Sequence, residues 1–169
     1  MGGALRSLTP EAIEGNPFEM IGKEWMLVTA GTIKNYNTMT ASGGCFGVLF
    51  GKKVCFAFVR PSRHTYSFME QNLLFTLSFF EERYREALNF CGTHSGRDVD
   101  KASATGLVPI EPAPGSVSFE QARLTLVCEK IHCQDLDPEG FIDGEIEKRY
   151  GGTDYHRIYV GEIKSCFAR

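Results

Sequence analysis

Short apolar segments of strand length recur along this chain, and no regular alternation of strand and helix connects them. The continuous apolar run 54–59 predicts a central buried strand, which ends abruptly at Arg60 and Pro61. Further segments have the composition or the polar–apolar alternation of strands: 25–30, 73–79, 122–134 and 157–163. Glycine accounts for 18 of the 169 residues, which suits the bends of a small barrel. The pattern therefore predicts a mainly β fold with peripheral helices, arranged as a mixed β-barrel.

Helices are predicted in several of the intervening segments. The expected helical segments are 62–71, 81–91, 96–105 and 145–150, with a further helix start at Thr9. Ser62 is the expected cap of the first of these, while Gly92 and Gly106 are the expected left-handed residues that close the next two. The polar stretch 35–44 contains too few apolar residues for the core.

The length and charge of the chain restrict the class of protein. A chain of 169 residues suits one domain, here 16–169, preceded by an N-terminal tail over 1–15. The net charge of −3 argues against nucleic acid as a principal partner, because binding phosphates requires a basic surface. The six cysteines are scattered and several lie in apolar runs, which is typical of buried, reduced thiols. Neither a signal-peptide core nor a membrane-spanning run of about 20 apolar residues is apparent, so we expect a cytoplasmic protein without membrane contact.

The most informative segment is 59–66, in which the apolar strand leads directly into the start of a helix. Two arginines, Arg60 and Arg63, and two hydroxyl residues, Ser62 and Thr65, lie in this turn. A helix N-terminus presents unpaired N–H groups that favour an anion, and arginine can form paired hydrogen bonds with phosphate. The turn is therefore a candidate phosphate site. The alternative is a capped surface helix with solvated arginines, which is common.

A second candidate is the small polar segment 37–44. Its short side chains and its two glycines, Gly43 and Gly44, allow backbone amides to approach a planar, polar ligand closely. Taken alone, the segment favours a plain turn between strands over a ligand site.

Four motifs occur in a fixed order along the chain. They are Asn37-Thr38-Met39-Thr40-Ala41-Ser42, Arg60-Pro61-Ser62-Arg63-His64-Thr65-Tyr66, Ser95-Gly96-Arg97-Asp98-Val99-Asp100-Lys101 and His156-Arg157-Ile158-Tyr159-Val160-Gly161-Glu162. Together they resemble the flavin reductase-like family of FMN-binding split-barrel proteins, most closely its flavoredoxin-like branch. The resemblance covers about 16–162. Relatives in this branch commonly carry tryptophan after the motif serine, where this chain has Gly43.

This resemblance implies an FMN-binding split β-barrel in which the four motifs surround the cofactor. Arg60, Ser62, Arg63 and Thr65 would hold the flavin phosphate, Asn37 to Gly43 would hold the ribityl chain and the ring, and Ser95, Gly96 and Lys101 would flank them. His156 would lie toward the electron donor and is the candidate catalytic residue. The resemblance also implies a homodimer that takes hydride from NADH or NADPH and passes electrons onward.

Two other functions remain open from the sequence: a non-enzymatic FMN electron carrier reduced by a partner protein, and a cofactor-free interaction module. No Gly-x-Gly-x-x-Gly fingerprint follows a strand, so the sequence does not identify a nicotinamide nucleotide as the donor. Neither Cys91 nor the pair His132 and Cys133 is accompanied by a second Cys-x-x-Cys at zinc-site spacing, and no metal site is predicted.

Overall fold

In the computed structural model, which describes residues 5–169, an antiparallel sheet of eight strands forms the body of the fold. Its strands are β1 (Arg6–Leu8), β2 (Met26–Thr32), β3 (Asn35–Ala41), β4 (Gly44–Leu49), β5 (Lys52–Val59), β6 (Leu74–Phe79), β9 (Leu124–Asp135) and β10 (Arg157–Ala168). The strand order is β3-β2-β6-β9-β10-β5-β4, and β1 pairs with the end of β10. Two short strands, β7 (Pro109–Ile110) and β8 (Ser118–Phe119), form a separate ribbon.

The helices are short and lie between the strands. They are α1 (Pro17–Glu19), α2 (His64–Gln71), α3 (Arg85–Thr93), α4 (Lys101–Thr105) and α5 (Gly144–Lys148), with 3-10 turns at Pro10–Ala12, Glu82–Tyr84 and Pro138–Gly140 and a π-helical segment at Met20–Glu24. The predicted fold class, mainly β with peripheral helices, is confirmed. Within residues 5–169, no helix has the length and apolar character required to cross a membrane.

The main core is built by side chains of β2, β5, β6, β9 and β10, with α2 packed on it. Tyr159 of β10 and Phe75 of β6 are among its largest fully buried side chains. The register between β10 and β9 shifts between Val160 and Gly161, and such a bulge bends the strand. A Cβ atom at Gly161 would lie 2.6 Å from Cζ of Phe75, so glycine is required where β10 crosses the core.

A second core cluster lies where α3 and α4 cover β2. Leu88 of α3, Ala102 of α4 and Phe119 of β8 pack there around Leu27. All residues of β2 except Thr32 are consequently buried. Burial on both faces explains why this strand is apolar at most positions instead of alternating.

The strands predicted from apolar runs are confirmed, with 54–59 contained in β5 and 122–134 overlapping β9. The prediction that 35–44 lies outside the core is wrong. Asn35–Ala41 pairs along its whole length with β2, and the hydroxyl groups of Thr38 and Thr29 share a buried hydrogen bond of 2.8 Å. The polar residues are tolerated in the core because a cross-strand partner satisfies them.

Two predicted helix boundaries are also wrong. The helix α3 continues through Gly92 and ends at Thr93, because His94 in an extended conformation, and not a left-handed glycine, follows its last turn. The helix α4 begins after Asp100, whose side chain accepts from the Ser103 N–H, and not at 96. Its predicted end at left-handed Gly106 is confirmed.

The segment expected to be an N-terminal tail contributes one strand to the sheet. Within it, β1 pairs with the end of β10, and a 3-10 turn follows Thr9, whose side chain forms no capping hydrogen bond. Residues 1–4 of this segment lie outside the described residues.

All six cysteines are free thiols. Four of them are buried, as expected: Cys55, Cys91, Cys128 and Cys166. The other two, Cys45 and Cys133, are exposed.

Candidate functional site

Two adjoining cavities lie on either side of the turn that joins β5 to α2. The first, the β3 cavity, has a volume of about 450 Å³ and is lined by Met39, Thr40, Ala41, Ser42, Gly43, Phe58, Arg60, Arg63, Leu136, Tyr150 and His156. The second, the turn cavity, has a volume of about 260 Å³ and is lined by Ser62, Arg63, His64, Thr65, Thr93, His94, Ser95, Gly96, Arg97 and Lys101. Arg63 lines both, so the two cavities meet at its side chain.

Basic and hydroxyl-bearing side chains dominate the lining of the turn cavity, and none of its lining residues carries a carboxylate. The guanidinium of Arg63 is half-buried and donates a hydrogen bond of 2.8 Å to the carbonyl of Gly92. Arg97 adds a second arginine at the rim. Positive charge together with hydroxyl donors favours an anion in this cavity.

Lys101 is the buried charge beneath the turn cavity. Its Nζ donates hydrogen bonds of 2.8 Å to the carbonyl oxygens of Thr38 and Cys91. Burial lowers the pKa of Lys101 to about 8, so its ammonium group is still mostly charged at pH 7. An ammonium has three donors, and the two carbonyls leave one for a ligand.

The loop before α4 reaches the turn cavity because Gly96 lies directly against β3. A Cβ atom at Gly96 would lie 1.9 Å from Oδ1 of Asn37. The amide of Asn37 in turn donates a hydrogen bond of 2.8 Å to the hydroxyl of Thr65 at the start of α2. Three segments that are distant in the sequence thus converge on the cavity.

The β3 cavity has a different character, since apolar and aromatic side chains accompany its charges. Tyr150 and His156 share a hydrogen bond of 2.7 Å between the phenol oxygen and Nδ1. Phe58 lies edge-to-face with His156, and the guanidinium of Arg60 lies 4.8 Å from the centre of the Tyr150 ring. Burial, assisted by the charge of Arg60, lowers the pKa of His156, so its imidazole is neutral at pH 7.

Ser62 does not cap α2, contrary to the sequence prediction. The helix begins at His64 with Arg63 at its N-cap position and no side-chain cap. The Ser62 N–H and hydroxyl both donate to the carboxylate of Asp154, at 2.9 and 2.6 Å. Asp154 has a left-handed backbone with φ of 56°, which is uncommon for a residue other than glycine. The donors of Ser62 are therefore used by a carboxylate from a distant loop and not by the helix.

The residues expected around the cofactor divide between the two cavities. Met39 to Gly43, Arg60, Arg63 and His156 line the β3 cavity, whereas Ser62, Arg63, Thr65, Ser95, Gly96 and Lys101 line the turn cavity. Asn37 and Thr38 line neither. Their side chains are buried in contacts with Thr65 and Thr29, and they border a third cavity of about 430 Å³.

The sequence did not identify Phe58, Leu136, Tyr150 or Asp154, which also build this region. Leu136, Tyr150 and Asp154 belong to the long connection between β9 and β10, whose place beside β3 depends on tertiary contacts. The signal that could have directed attention to them is the glycine pair after Tyr150, both with positive φ, which marks a tight turn.

Comparisons with known proteins identify the family and the fold. The model of the flavin reductase like domain matches residues 20–169. No curated protein matches the sequence.

Among solved structures, an FMN-binding domain of a flavin reductases-like enzyme from Shewanella baltica is 15% identical, with a TM-score of 0.72, over 99% of this chain and 78% of that one. A flavoredoxin from Methanosarcina acetivorans is 18% identical, with a TM-score of 0.69, over 86% and 68%. An NADH:FAD oxidoreductase from Streptomyces globisporus is 17% identical, with a TM-score of 0.65, over 86% and 75%. At these identities the structural similarity establishes the fold, and the predicted split barrel is confirmed. Because the family model covers most of the chain, this protein belongs to the flavin reductase-like family.

Proposed function

We propose that this protein binds FMN across the two cavities and acts as an NAD(P)H-dependent flavin reductase, which passes hydride to the flavin and electrons onward. The observation that carries the proposal is the junction, at Arg63, of a cavity that favours an anion with a larger, partly apolar cavity. A flavin mononucleotide has the matching layout, with a phosphate at one end and a planar ring at the other. Bound FMN would supply the redox chemistry that no side chain here can perform.

The turn cavity fits the phosphate. Arg63 and Lys101, which also donate to the adjacent carbonyls of Gly92 and Cys91, supply positive charge to the cavity. Because the hydroxyl of Thr65 accepts from Asn37, its own proton is free to donate to a phosphate oxygen. Ser95 adds a second hydroxyl at the cavity wall. Charge-assisted hydrogen bonds of this kind are the strong ones in proteins.

The β3 cavity fits the ribityl chain and the ring. The end of β3 and the following residues, from Met39 to Gly43, form one side of it. No atom lies within 4 Å of a Cβ placed at Gly43, so the backbone there is open to a planar ligand. Tyr150 and His156 also line this cavity. If the tyrosine hydroxyl donates to Nδ1, the neutral imidazole keeps its proton on Nε2, where it can orient a donor molecule.

A nicotinamide nucleotide is the proposed electron donor. The family and the fold shared with the NADH:FAD oxidoreductase of Streptomyces globisporus support this choice. The second candidate function is an FMN electron carrier that a partner protein reduces, and the fold shared with the flavoredoxin of Methanosarcina acetivorans favours it.

We also propose a homodimer in a reducing, cytoplasmic compartment. Phe18 is 86% exposed and lies in a groove that also includes Ser42 and Gly43, so an apolar surface adjoins the proposed ring site. Six free thiols suit a reducing compartment. Light scattering of the purified protein, with Phe18→Glu as the variant expected to dissociate the dimer, tests the assembly.

Anaerobic reduction tests the enzyme against the carrier. FMN-loaded protein mixed with NADH or NADPH should lose its flavin absorbance at a rate typical of enzymes, about 1–1000 per second. Dithionite serves as the positive control. Bleaching by dithionite alone would reject the reductase in favour of the carrier. Failure to bind FMN at all would favour the cofactor-free interaction module.

A further inference from the structure

Arg60 belongs to the β3 cavity and not to the turn cavity. Its guanidinium is stacked on Tyr150, with 4.8 Å between Cζ and the ring centre, and its side chain remains 35% exposed. Stacking on a tyrosine face holds a guanidinium in one orientation and leaves its N–H donors at the edge available. Arg63, three residues later, is the arginine that reaches both cavities.

The acidic neighbour of Arg60 does not saturate it. Asp154 lies 3.9 Å from Nη1 of Arg60, beyond hydrogen-bond distance, while both of its carboxylate oxygens accept from Ser62 at 2.9 and 2.6 Å. Asp154 therefore holds the turn and the β9–β10 connection together. Among residues 5–169, Asp154 forms an ion pair with Arg60, but no carboxylate accepts a hydrogen bond from this guanidinium.

The other residues that line the β3 cavity indicate what kind of molecule would carry an anionic group to Arg60. Phe58, Leu136 and Tyr150 provide apolar and aromatic walls, and none of the lining residues carries a carboxylate. His156 is held neutral next to them. A planar apolar body that bears a negative group therefore complements the aromatic walls and the positive charge of the cavity.

We infer that Arg60, stacked on Tyr150, binds the anionic group of the second substrate, a planar molecule that carries a carboxylate or a phosphate, while Arg63 and Lys101 bind the cofactor phosphate. This inference rests on the proposed function, because the second substrate would enter the cavity that holds the flavin ring. It gives the two arginines of one turn separate ligands, with Tyr150 as the residue that positions Arg60.

Binding of matched ligand pairs to the FMN-loaded protein tests the inference without any turnover. Nicotinate and nicotinamide differ by a carboxylate, whereas nicotinamide mononucleotide and nicotinamide riboside differ by a phosphate. Equilibrium dialysis and the shift of the flavin absorbance band give the affinity for each ligand. The anionic member of at least one pair should bind more tightly, and the pair that shows the preference identifies the anion.

Arg60→Gln should abolish this preference, with a loss of about tenfold to hundredfold for the anionic member and little change for the neutral one. Arg60→Lys should retain part of it, and Arg83→Gln, which removes an exposed arginine elsewhere, should change nothing. Arg60→Gln should weaken FMN binding much less than Arg63→Gln does, because only Arg63 also lines the proposed phosphate cavity. The inference is overturned if Arg60→Gln weakens FMN as much as Arg63→Gln, or if neither anionic ligand is preferred. Wild-type protein that binds no FMN would instead refute the proposed function.

Discussion

Gly96 and Asn37 touch so closely that a Cβ atom at Gly96 would lie 1.9 Å from the amide oxygen of Asn37. The other end of the same amide donates to Thr65 at 2.8 Å. Asn37 therefore spaces the Gly96 loop from the start of α2, and the width of the turn cavity depends on this contact. Asn37 lines neither the turn cavity nor the β3 cavity, so it affects the site only by positioning Gly96 and Thr65.

Gly96→Ala should displace the loop and weaken FMN binding by about tenfold or more, because overpacking of a well-packed site typically costs about 1–3 kcal/mol. Fluorescence titration with FMN and urea unfolding measure the two effects. Gly47→Ala is the matched control, since no atom lies within 4 Å of the added Cβ there. Normal FMN affinity in Gly96→Ala would show that the loop is not part of the phosphate site.

Arg63→Ala should weaken FMN by about 10- to 100-fold, because a charge-assisted hydrogen bond contributes about 1.5–3 kcal/mol. Riboflavin lacks the phosphate and should lose far less, so the ratio of the two affinities is the informative quantity. Equal losses for both flavins would mean that Arg63 supports the fold through its hydrogen bond to Gly92.

The affinity for FMN should fall as the pH rises through about 8, where Lys101 loses its charge. The sign follows because burial lowers this pKa, so the ammonium that attracts the phosphate is present below about 8 and lost above it. Titrations between pH 7 and 9.5 keep the phosphate as a dianion, since its second pKa is about 6. A bound phosphate would raise the pKa of Lys101 and shift the transition upward.

Two comparisons isolate Lys101 as the source of this dependence. Riboflavin should show no comparable change with pH, and Lys101→Met should bind FMN weakly at every pH in this range. A pH dependence that persists unchanged in Lys101→Met would assign the titration to another group.

Gly43→Trp, which introduces the aromatic residue common in relatives, should leave the fold intact and keep or tighten flavin binding. The backbone of Gly43 is not left-handed and the space around it is open. Gly44→Ala is the contrasting variant. Its added Cβ would lie 2.9 Å from the Phe56 carbonyl oxygen, so this substitution should destabilise the sheet. Thermal unfolding and FMN titration report both effects. A folded Gly43→Trp that loses flavin would show that this loop differs from that of the relatives.

Apolar runs were sufficient to predict most of the sheet, because apolar side chains favour burial whichever strands lie next to them. The strand β3 could not be predicted that way. Its Thr38 is buried only because Thr29 of the neighbouring strand accepts or donates the hydroxyl hydrogen bond. In the same way, Ser62 is a residue type that commonly caps helices, but its N–H and hydroxyl donate to Asp154, which lies far along the chain.

The site shows a similar division. The motifs identified residues that the fold does bring together around Arg63, since short sequence motifs preserve local geometry. They did not indicate Tyr150 or Phe58, which also line the β3 cavity. Tyr150 lies in the β9–β10 connection and Phe58 in β5. Their contribution depends on where the β9–β10 connection folds back, which no local pattern specifies.

The position of β10 between β5 and β9 has a consequence for the order of folding. Tyr159 pairs with Ala57 on one side and Cys133 on the other, so β10 joins two halves of the sheet that are otherwise separate. Tyr150 and His156, which line the β3 cavity, lie in the connection that leads into β10, so we expect the lining to be complete only when this strand has docked. Sheets dominated by such distant pairings fold slowly, on timescales of about milliseconds to seconds. We therefore expect a flavin to bind the complete site only late in folding, and not to act as a template for the earlier steps.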